Sequence, residues 1–170
     1  MPESPSESPS EPLAPVLQLA GLALAHALWC VSEGQGLAPL IFAEKDGQRR
    51  LIQLGNERLA DGVAAGQKLL LDDPEQFDRA VLVYDGTVTL EETPSDALVA
   101  ELVAYRVARR GRVLLRYQDL KSEAFLVRPP NFVFSPPPHD ALAATEAFHR
   151  GLQSHAQGRA VYEGVVRHEG

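Results

Sequence analysis

A long apolar run near the start of the chain restricts most strongly what it can fold into. The run extends from Leu13 to Val31, is interrupted only by Gln18 and His26, and has no lysine or arginine at its borders. Its leucines recur at helical spacing, which predicts a helix over residues 13–32 that is apolar on most of its sides. Its length would allow a membrane span, but spans are usually flanked by cations. We therefore expect a helix buried against a sheet.

Two segments with alternating apolar and polar residues predict that sheet. Residues 37–44 and 48–54 flank Asp46-Gly47, and the segment Arg79–Glu91 has Asp85-Gly86 near its centre. An Asp-Gly pair accepts the positive φ angles of a type I′ turn, so both segments are predicted to be tight hairpins. In the second hairpin, the apolar face would be formed by Val81, Val83, Val88 and Leu90. The polar face would be formed by Tyr84, Thr87, Thr89 and Glu91.

Residues 96–107 admit two interpretations. An N-cap at Ser95 and a glycine at Gly111 would suit a helix, whereas three evenly spaced valines and a hairpin turn at 109–111 favour a strand. We predict the strand, because the turn would lead directly into the β-forming residues 112–118.

The other segments complete an α+β fold. A helix is predicted over 57–71 with Asn56 as its N-cap, further strands over 124–127 and 131–134, and a helix over 139–157 that precedes a last short helix. The predicted fold is an antiparallel meander with two Asp-Gly hairpins, packed against the N-terminal apolar helix and the C-terminal helices, in the approximate order α-β-β-α-β-β-β-β-α.

Composition suits one domain with a short tail. The chain has 170 residues, and residues 1–12 are Pro, Ser and Glu repeats with almost no apolar side chains. Such a segment cannot offset the entropy lost on ordering, so we expect residues 1–12 to be disordered and residues 13–170 to form a single domain.

Net charge and cysteine content indicate which classes of partner and which cellular compartment to expect. Sixteen Lys and Arg against 23 Asp and Glu give a net charge of −7, which repels phosphate backbones and anionic lipids. We expect no nucleic acid and no membrane partner. Cys30 is the single cysteine, and the N-terminus lacks the basic region of a secretory signal. These features indicate a cytoplasmic, bacterial-style protein.

One pattern points to metal-dependent hydrolysis. Pro94-Ser95-Asp96 is followed at a distance by Asp119-Leu120-Lys121. This is similar to the P-D…(D/E)-x-K arrangement of restriction-endonuclease-like nucleases, in which two carboxylates hold a divalent metal and the lysine positions or activates water. The resemblance implies a hydrolase that uses Asp96, Asp119 and Lys121. The alternative is that these are solvated loop residues.

Other motifs do not extend that chemistry. His26 and Cys30 lie four residues apart on the predicted helix, but no second pair at ligand spacing completes a zinc site. Phosphate-binding and nucleophile-elbow motifs are absent from the sequence. We therefore expect no cofactor and no metal.

We predict a non-catalytic protein-interaction or regulatory module that binds a protein partner or self-associates. The predicted binding residues are a polar hairpin face and a group of cations, represented by Tyr84, Thr87, Arg109, Arg110 and Arg112. Two alternatives are the hydrolase described above and a small-ligand binder with a pocket between helix and sheet, where His26 and Tyr84 would converge.

Overall fold

The computed structural model describes residues 13–34, 36–55, 58–118, 125–134, 136–138 and 140–165. It confirms the α+β class and the predicted order of elements. The helices and strands, in chain order, are α1 Ala14–Ser32, β1 Leu40–Lys45, β2 Gln48–Gln53, α2 Leu59–Asp72, β3 Arg79–Leu90, β4 Thr93–Ala104, β5 Arg109–Gln118, β6 Leu126–Val127, β7 Asn131–Phe134, α3 Ala141–Gln153 and α4 Ala156–Val165.

All strand pairs in the sheet are antiparallel, and their spatial order is β2-β1-β3-β4-β5-β6. β7 also pairs with β5, along Gly111 to Leu114, whereas β6 pairs with Tyr117 and Gln118 farther along the same strand. The bend between β6 and β7 contains Pro129-Pro130, whose missing N–H groups suit such a position.

The predicted hairpin at Asp85-Gly86 is wrong. β3 continues through this pair, and Asp85 lies opposite Leu98 on β4. The turn lies instead at Glu91 and Glu92, which both adopt positive φ angles of 52° and 67°. A turn at Asp85-Gly86 would break the pairing that β3 makes with β4 along its whole length, whereas the long pairing satisfies the backbone groups on the facing edges of both strands. The other Asp-Gly hairpin is confirmed, since Asp46 and Gly47 have φ angles of 51° and 78°.

The strand interpretation of residues 96–107 is confirmed for most of that segment, because β4 extends from Thr93 to Ala104. The predicted turn at 109–111 is wrong. The chain turns through a 3₁₀ helix at Tyr105–Val107, and Ala108 takes the left-handed conformation with φ 52°. Residues 109–111 therefore begin β5.

Helix α1 lies between the sheet and the C-terminal helices. Its apolar residues pack on the sheet face that carries Val81, Val83, Leu98 and Ala100, called here the α1 face. Phe148 and Leu152 of α3 pack in the same core on the other side of α1. The predicted helix over 139–157 is interrupted at Ser154 and His155, where α3 ends and α4 follows.

Helix α2 covers part of the opposite sheet face, called here the α2 face. Leu70 packs there with Ile41, Ala80 and Leu82 in a smaller apolar cluster. The predicted N-cap Asn56 lies outside the described residues, as does Glu57, and α2 begins at Leu59. Beyond α2, the same face continues over β4 and β5, where Ala97, Val99 and Leu114 form a third buried cluster and where the polar groups described next also lie.

Candidate functional site

Two depressions lie on the α2 face, and Leu70 contributes to the walls of both. The larger one, called here the apolar cleft, has a volume of about 650 Å³ and lies between α2 and the β1–β2 hairpin. The smaller one, called here the arginine groove, has a volume of about 300 Å³ and lies over β4 and β5. The main walls of the cleft are formed by Ile41, Ile52, Leu69, Leu70, Phe77, Ala80 and Tyr105, and those of the groove by Leu70, Glu101, Val103, Arg110, Arg112 and Val133.

Polar atoms in the apolar cleft are already paired. The Tyr105 hydroxyl donates to the carbonyl oxygen of Leu70 at 2.6 Å, and burial raises the pKa of Tyr105 to about 12. At the rim, Arg50 forms an ion pair with Glu75 at 2.7 Å. The cleft is therefore suited to an apolar group rather than to a charged one.

In the arginine groove, a carboxylate is held by two donors. The Tyr84 hydroxyl donates to Oε2 of Glu101 at 2.5 Å, and Nε2 of Gln67 donates to the same oxygen at 2.8 Å. Burial, and then the bond to Glu101, raise the pKa of Tyr84 well above its usual value. Tyr84 thus stays a neutral donor, and Glu101 is fixed on the floor of the groove.

Arg110 and Arg112 differ from most other arginines in the described part of the chain. Both are exposed, and neither forms an ion pair or hydrogen bond with another described residue. The others mostly have a carboxylate, an amide or a carbonyl as partner, as in the pairs Arg49–Glu44, Arg50–Glu75, Arg79–Glu44, Arg106–Asp78, Arg116–Asn131, Arg109–Pro136 and Arg159–Glu163. Two positive charges thus remain open on one side of an acidic protein.

The structure brings together three of the five predicted binding residues. Tyr84, Arg110 and Arg112 all project from the α2 face, because strand residues alternate between faces. Thr87 lies on the α1 side of β3, so it does not share a face with Tyr84 as the hairpin pairing had predicted. Arg109 also faces away from the groove and donates to the carbonyl oxygen of Pro136 at 2.5 Å.

The predicted hydrolase residues are only partly described. Asp96 is exposed on the α1 side of β4, opposite Thr87, while Asp119 and Lys121 lie outside the described residues. Asp96 acts electrostatically on Asp85. The pKa of Asp85 is raised first by burial and also by the negative charge of Asp96. No sequence motif pointed to Asp85, which accepts a hydrogen bond from the Tyr117 hydroxyl at 2.7 Å. The Tyr117–Asp85 hydrogen bond lies at the end of the α1-side core and satisfies the polar groups of both side chains there.

A cluster of imidazoles and a thiol lies on the opposite side of the molecule. His26 Nδ1 is 3.4 Å from His155 Nε2, and His26 Nε2 is 3.6 Å from Cys30 Sγ. His26 therefore directs its two ring nitrogens to different neighbours and cannot bind one metal ion together with both. Burial lowers the pKa of both histidines and raises that of the Cys30 thiol, so neutral forms are favoured.

In the part of the chain that the structure describes, neither a metal site nor a pocket lined by both His26 and Tyr84 is formed. Within the described ranges, no group of three or more His, Cys, Asp or Glu side chains is arranged to hold a metal ion. His26 contacts Phe42 on the α1 face, whereas Tyr84 lies on the α2 face, so the two cannot line one pocket. The cavity between helix and sheet involves α2 rather than α1.

No protein-family profile, curated protein or solved structure matches this chain. Among the described helices, α1 alone has the length and apolar composition that a membrane span would require. More than half of it is buried inside the fold, as the core helix of the predicted domain would be.

Proposed function

We propose that the protein is a non-catalytic interaction module whose arginine groove binds an acidic segment of a partner protein. The observation that carries this proposal is the pair of open guanidinium groups of Arg110 and Arg112. Unpaired cations beside a preformed depression, in a chain of net charge −7, offer a local attraction for an acidic segment.

The spacing of the two arginines defines the ligand. Residues two apart on a strand point to the same face and lie about 7 Å apart. Carboxylates two residues apart in an extended peptide have the same spacing, and a planar guanidinium can bind a carboxylate through two parallel hydrogen bonds. Glu101 lies opposite Arg112 on the neighbouring strand but forms no ion pair with it, and its Oε2 accepts hydrogen bonds from Tyr84 and Gln67 instead. The exposed apolar surface of Val133 lies at the same groove.

Charge reversal tests the proposal. The double variant Arg110→Glu/Arg112→Glu is compared with wild type and with Arg150→Glu/Arg159→Glu, which changes the net charge equally on the exposed sides of α3 and α4. The probes are immobilised poly-L-glutamate and the proteins of a native-cell lysate. We expect the groove variant to bind poly-L-glutamate about tenfold more weakly, since two exposed ion pairs contribute roughly 1 to 2 kcal/mol.

Three outcomes would contradict the proposal. The first is equal binding of poly-L-glutamate by the groove variant and wild type. The second is that every lysate protein whose binding poly-L-glutamate competes away is retained by the groove variant as well as by wild type. The third is stronger binding of polyuridylate than of poly-L-glutamate at the same salt concentration, which would identify the groove as a phosphate site. Sedimentation of the purified protein at two concentrations shows whether the acidic partner is a second copy of the chain.

A further inference from the structure

The outer edge of the sheet at β2 has unpaired backbone groups. β1 and β2 are joined by the two-residue turn Asp46-Gly47, and the N–H of Leu54 donates to the carbonyl oxygen of Pro39. This register directs the backbone groups of residues 48, 50, 52 and 54 toward β1. The N–H and C=O groups of the alternate residues Arg49, Leu51 and Gln53 point outward. None of these groups has a partner among the described residues.

The opposite end of the sheet is protected. β6 has two residues, β7 has four, and Pro129-Pro130 lies between them. Short strands and prolines are common ways to keep an edge from pairing with another chain. β2 has six residues and no proline, and the side chain of Leu51 on it is 56% exposed. The free edge is therefore a specific feature of β2.

The apolar cleft lies beside this free edge. Ile52 and Arg50 of β2 line it on one side, and Leu69 and Leu70 of α2 line it on the other. A strand added to β2 would project every second side chain toward the α2 face, where the cleft lies. The edge can thus supply main-chain hydrogen bonds while the cleft accepts a large apolar side chain.

We propose that β2 and the apolar cleft bind an extended segment of another protein by strand addition, with one large apolar side chain in the cleft. Alternating outward donors and acceptors require an extended chain, because a small molecule cannot satisfy three successive pairs of backbone groups. This site is separate from the arginine groove, and neither proposal depends on the other.

A second copy of this chain is a poorer occupant than a different protein. On the α2 face, β2 offers Gln48, Arg50 and Ile52, and only Ile52 is apolar. Ile52 already forms a wall of its own cleft, so symmetric pairing of two β2 edges would leave both clefts unfilled.

Hydrogen exchange with a defined peptide tests this proposal on the full chain. The probe is the end-capped peptide Thr-Val-Phe-Val-Thr at millimolar concentration, with versions in which Leu or Glu replaces Phe. Its control is the same peptide N-methylated at every residue, so that neither of its edges can donate hydrogen bonds to β2. We expect the Phe peptide to slow exchange of the Arg49, Leu51 and Gln53 amides about tenfold, and the N-methylated and Glu peptides to have no effect.

Two variants separate the edge from the cleft. Leu51→Pro removes an outward N–H without removing a hydrogen bond to β1, so it should abolish protection by the peptide. Ile52→Trp fills the cleft and should weaken binding of the Phe peptide, while Leu142→Trp, at an exposed position of α3, should not. Unchanged amide spectra from the α1 side show that each variant is folded.

Several results would overturn the proposal. One is the absence of protection with the Phe and Leu peptides, and another is equal protection with the N-methylated peptide. Binding of the dye anilinonaphthalene sulfonate that Ile52→Trp removes, without peptide protection, would assign the cleft to small ligands. Protection that rises with protein concentration alone would assign the edge to a second copy. Loss of poly-L-glutamate binding in the arginine variants would leave this proposal unaffected.

Discussion

The two faces of the sheet are covered in different ways. On the α1 face, the strands are sealed by a helix that is itself covered by α3 and α4, and the packed residues form one continuous core. On the α2 face, a single helix covers part of the sheet and leaves a cleft on one side and a groove on the other. Burial on the first face supplies most of the apolar stabilisation, so the second face is the one on which we propose contacts with other molecules.

Glycines show how closely the α1 side is packed. A Cβ atom on Gly21 would overlap the carbonyl oxygen of Phe148, one on Gly151 would overlap that of Gln18, and one on Gly158 would overlap that of Ala25. The backbones of α1, α3 and α4 therefore touch directly. On the α2 face, by contrast, the smaller cluster is formed mainly by side-chain contacts, and several of its members are only partly buried.

The largest effect is expected where α3 touches α1. Gly151→Ala places a methyl group against backbone that cannot move alone, so α3 must shift away from α1 and open the core. We expect the free energy of unfolding to fall by about 3 kcal/mol or more, measured by urea denaturation. Gly164→Ala in α4 is the control, because open space surrounds a Cβ there. A loss for Gly151→Ala no larger than that for Gly164→Ala would mean that the α1–α3 contact is loose.

A smaller effect on stability is expected where α4 packs on α1. There, Gly158, His155, His26 and Cys30 form a row in which each group donates to the next. The N–H of Gly158 donates to Nδ1 of His155 at 2.9 Å, which places the proton of His155 on Nε2. That proton faces Nδ1 of His26, and Nε2 of His26 then donates toward Cys30 Sγ. If either imidazole binds a second proton, one of its N–H groups faces another N–H donor instead of an acceptor.

Acid should therefore weaken the α1–α4 contact. Burial lowers the pKa of both histidines below the unfolded value of about 6.5, so the unfolded chain binds more protons below that pH. The free energy of unfolding should fall as the pH decreases from about 6.5 toward the folded pKa values, by on the order of 1 kcal/mol after solvent screening. Urea denaturation between pH 7.5 and about 5 measures it.

The pH dependence of unfolding in His155→Asn, compared with that of wild type, tests whether the histidines cause the acid effect. Asn can accept from the Gly158 N–H but does not titrate, so the variant should lose part of the pH dependence while the fold is kept. An unchanged slope in His155→Asn would show that other groups cause the acid effect. Chemical shifts of the His26 ring, followed against pH by NMR, would then locate the titration directly.

Local patterns predicted the apolar helix and one hairpin correctly because short-range chemistry determines them. The run from Leu13 must be buried wherever it lies, and the two strands that flank Asp46-Gly47 pair with each other along their whole length. Asp85-Gly86 has the same chemistry, but β4 lies alongside and pairs with every residue of β3. Turn propensity was overridden by a long-range pairing that no window of the sequence contains.

The candidate site was predicted in part for a related reason. Arg110 and Arg112 were found as a local group of cations, and alternation along β5 does place them together. Glu101 lies opposite Arg112 through the β4–β5 pairing, whereas Gln67 joins them only because α2 packs on the neighbouring strand β3, and nothing in its local sequence indicates that contact. The apolar cleft is similarly the product of three distant segments, and its free edge depends on which strand lies outermost.

The smallest effect on stability is expected on the α2 face, in the arginine groove. Arg110→Gln/Arg112→Gln removes two charges that form no ion pair among the described residues and lie on the surface. The free energy of unfolding should change by less than about 0.5 kcal/mol, as is usual for exposed positions without specific contacts. Poly-L-glutamate binding should nevertheless weaken, because attraction of an acidic chain needs the charge and not the fold. A loss of stability comparable to that of Gly151→Ala would make these arginines structural, and the division of roles between the two faces would then be wrong.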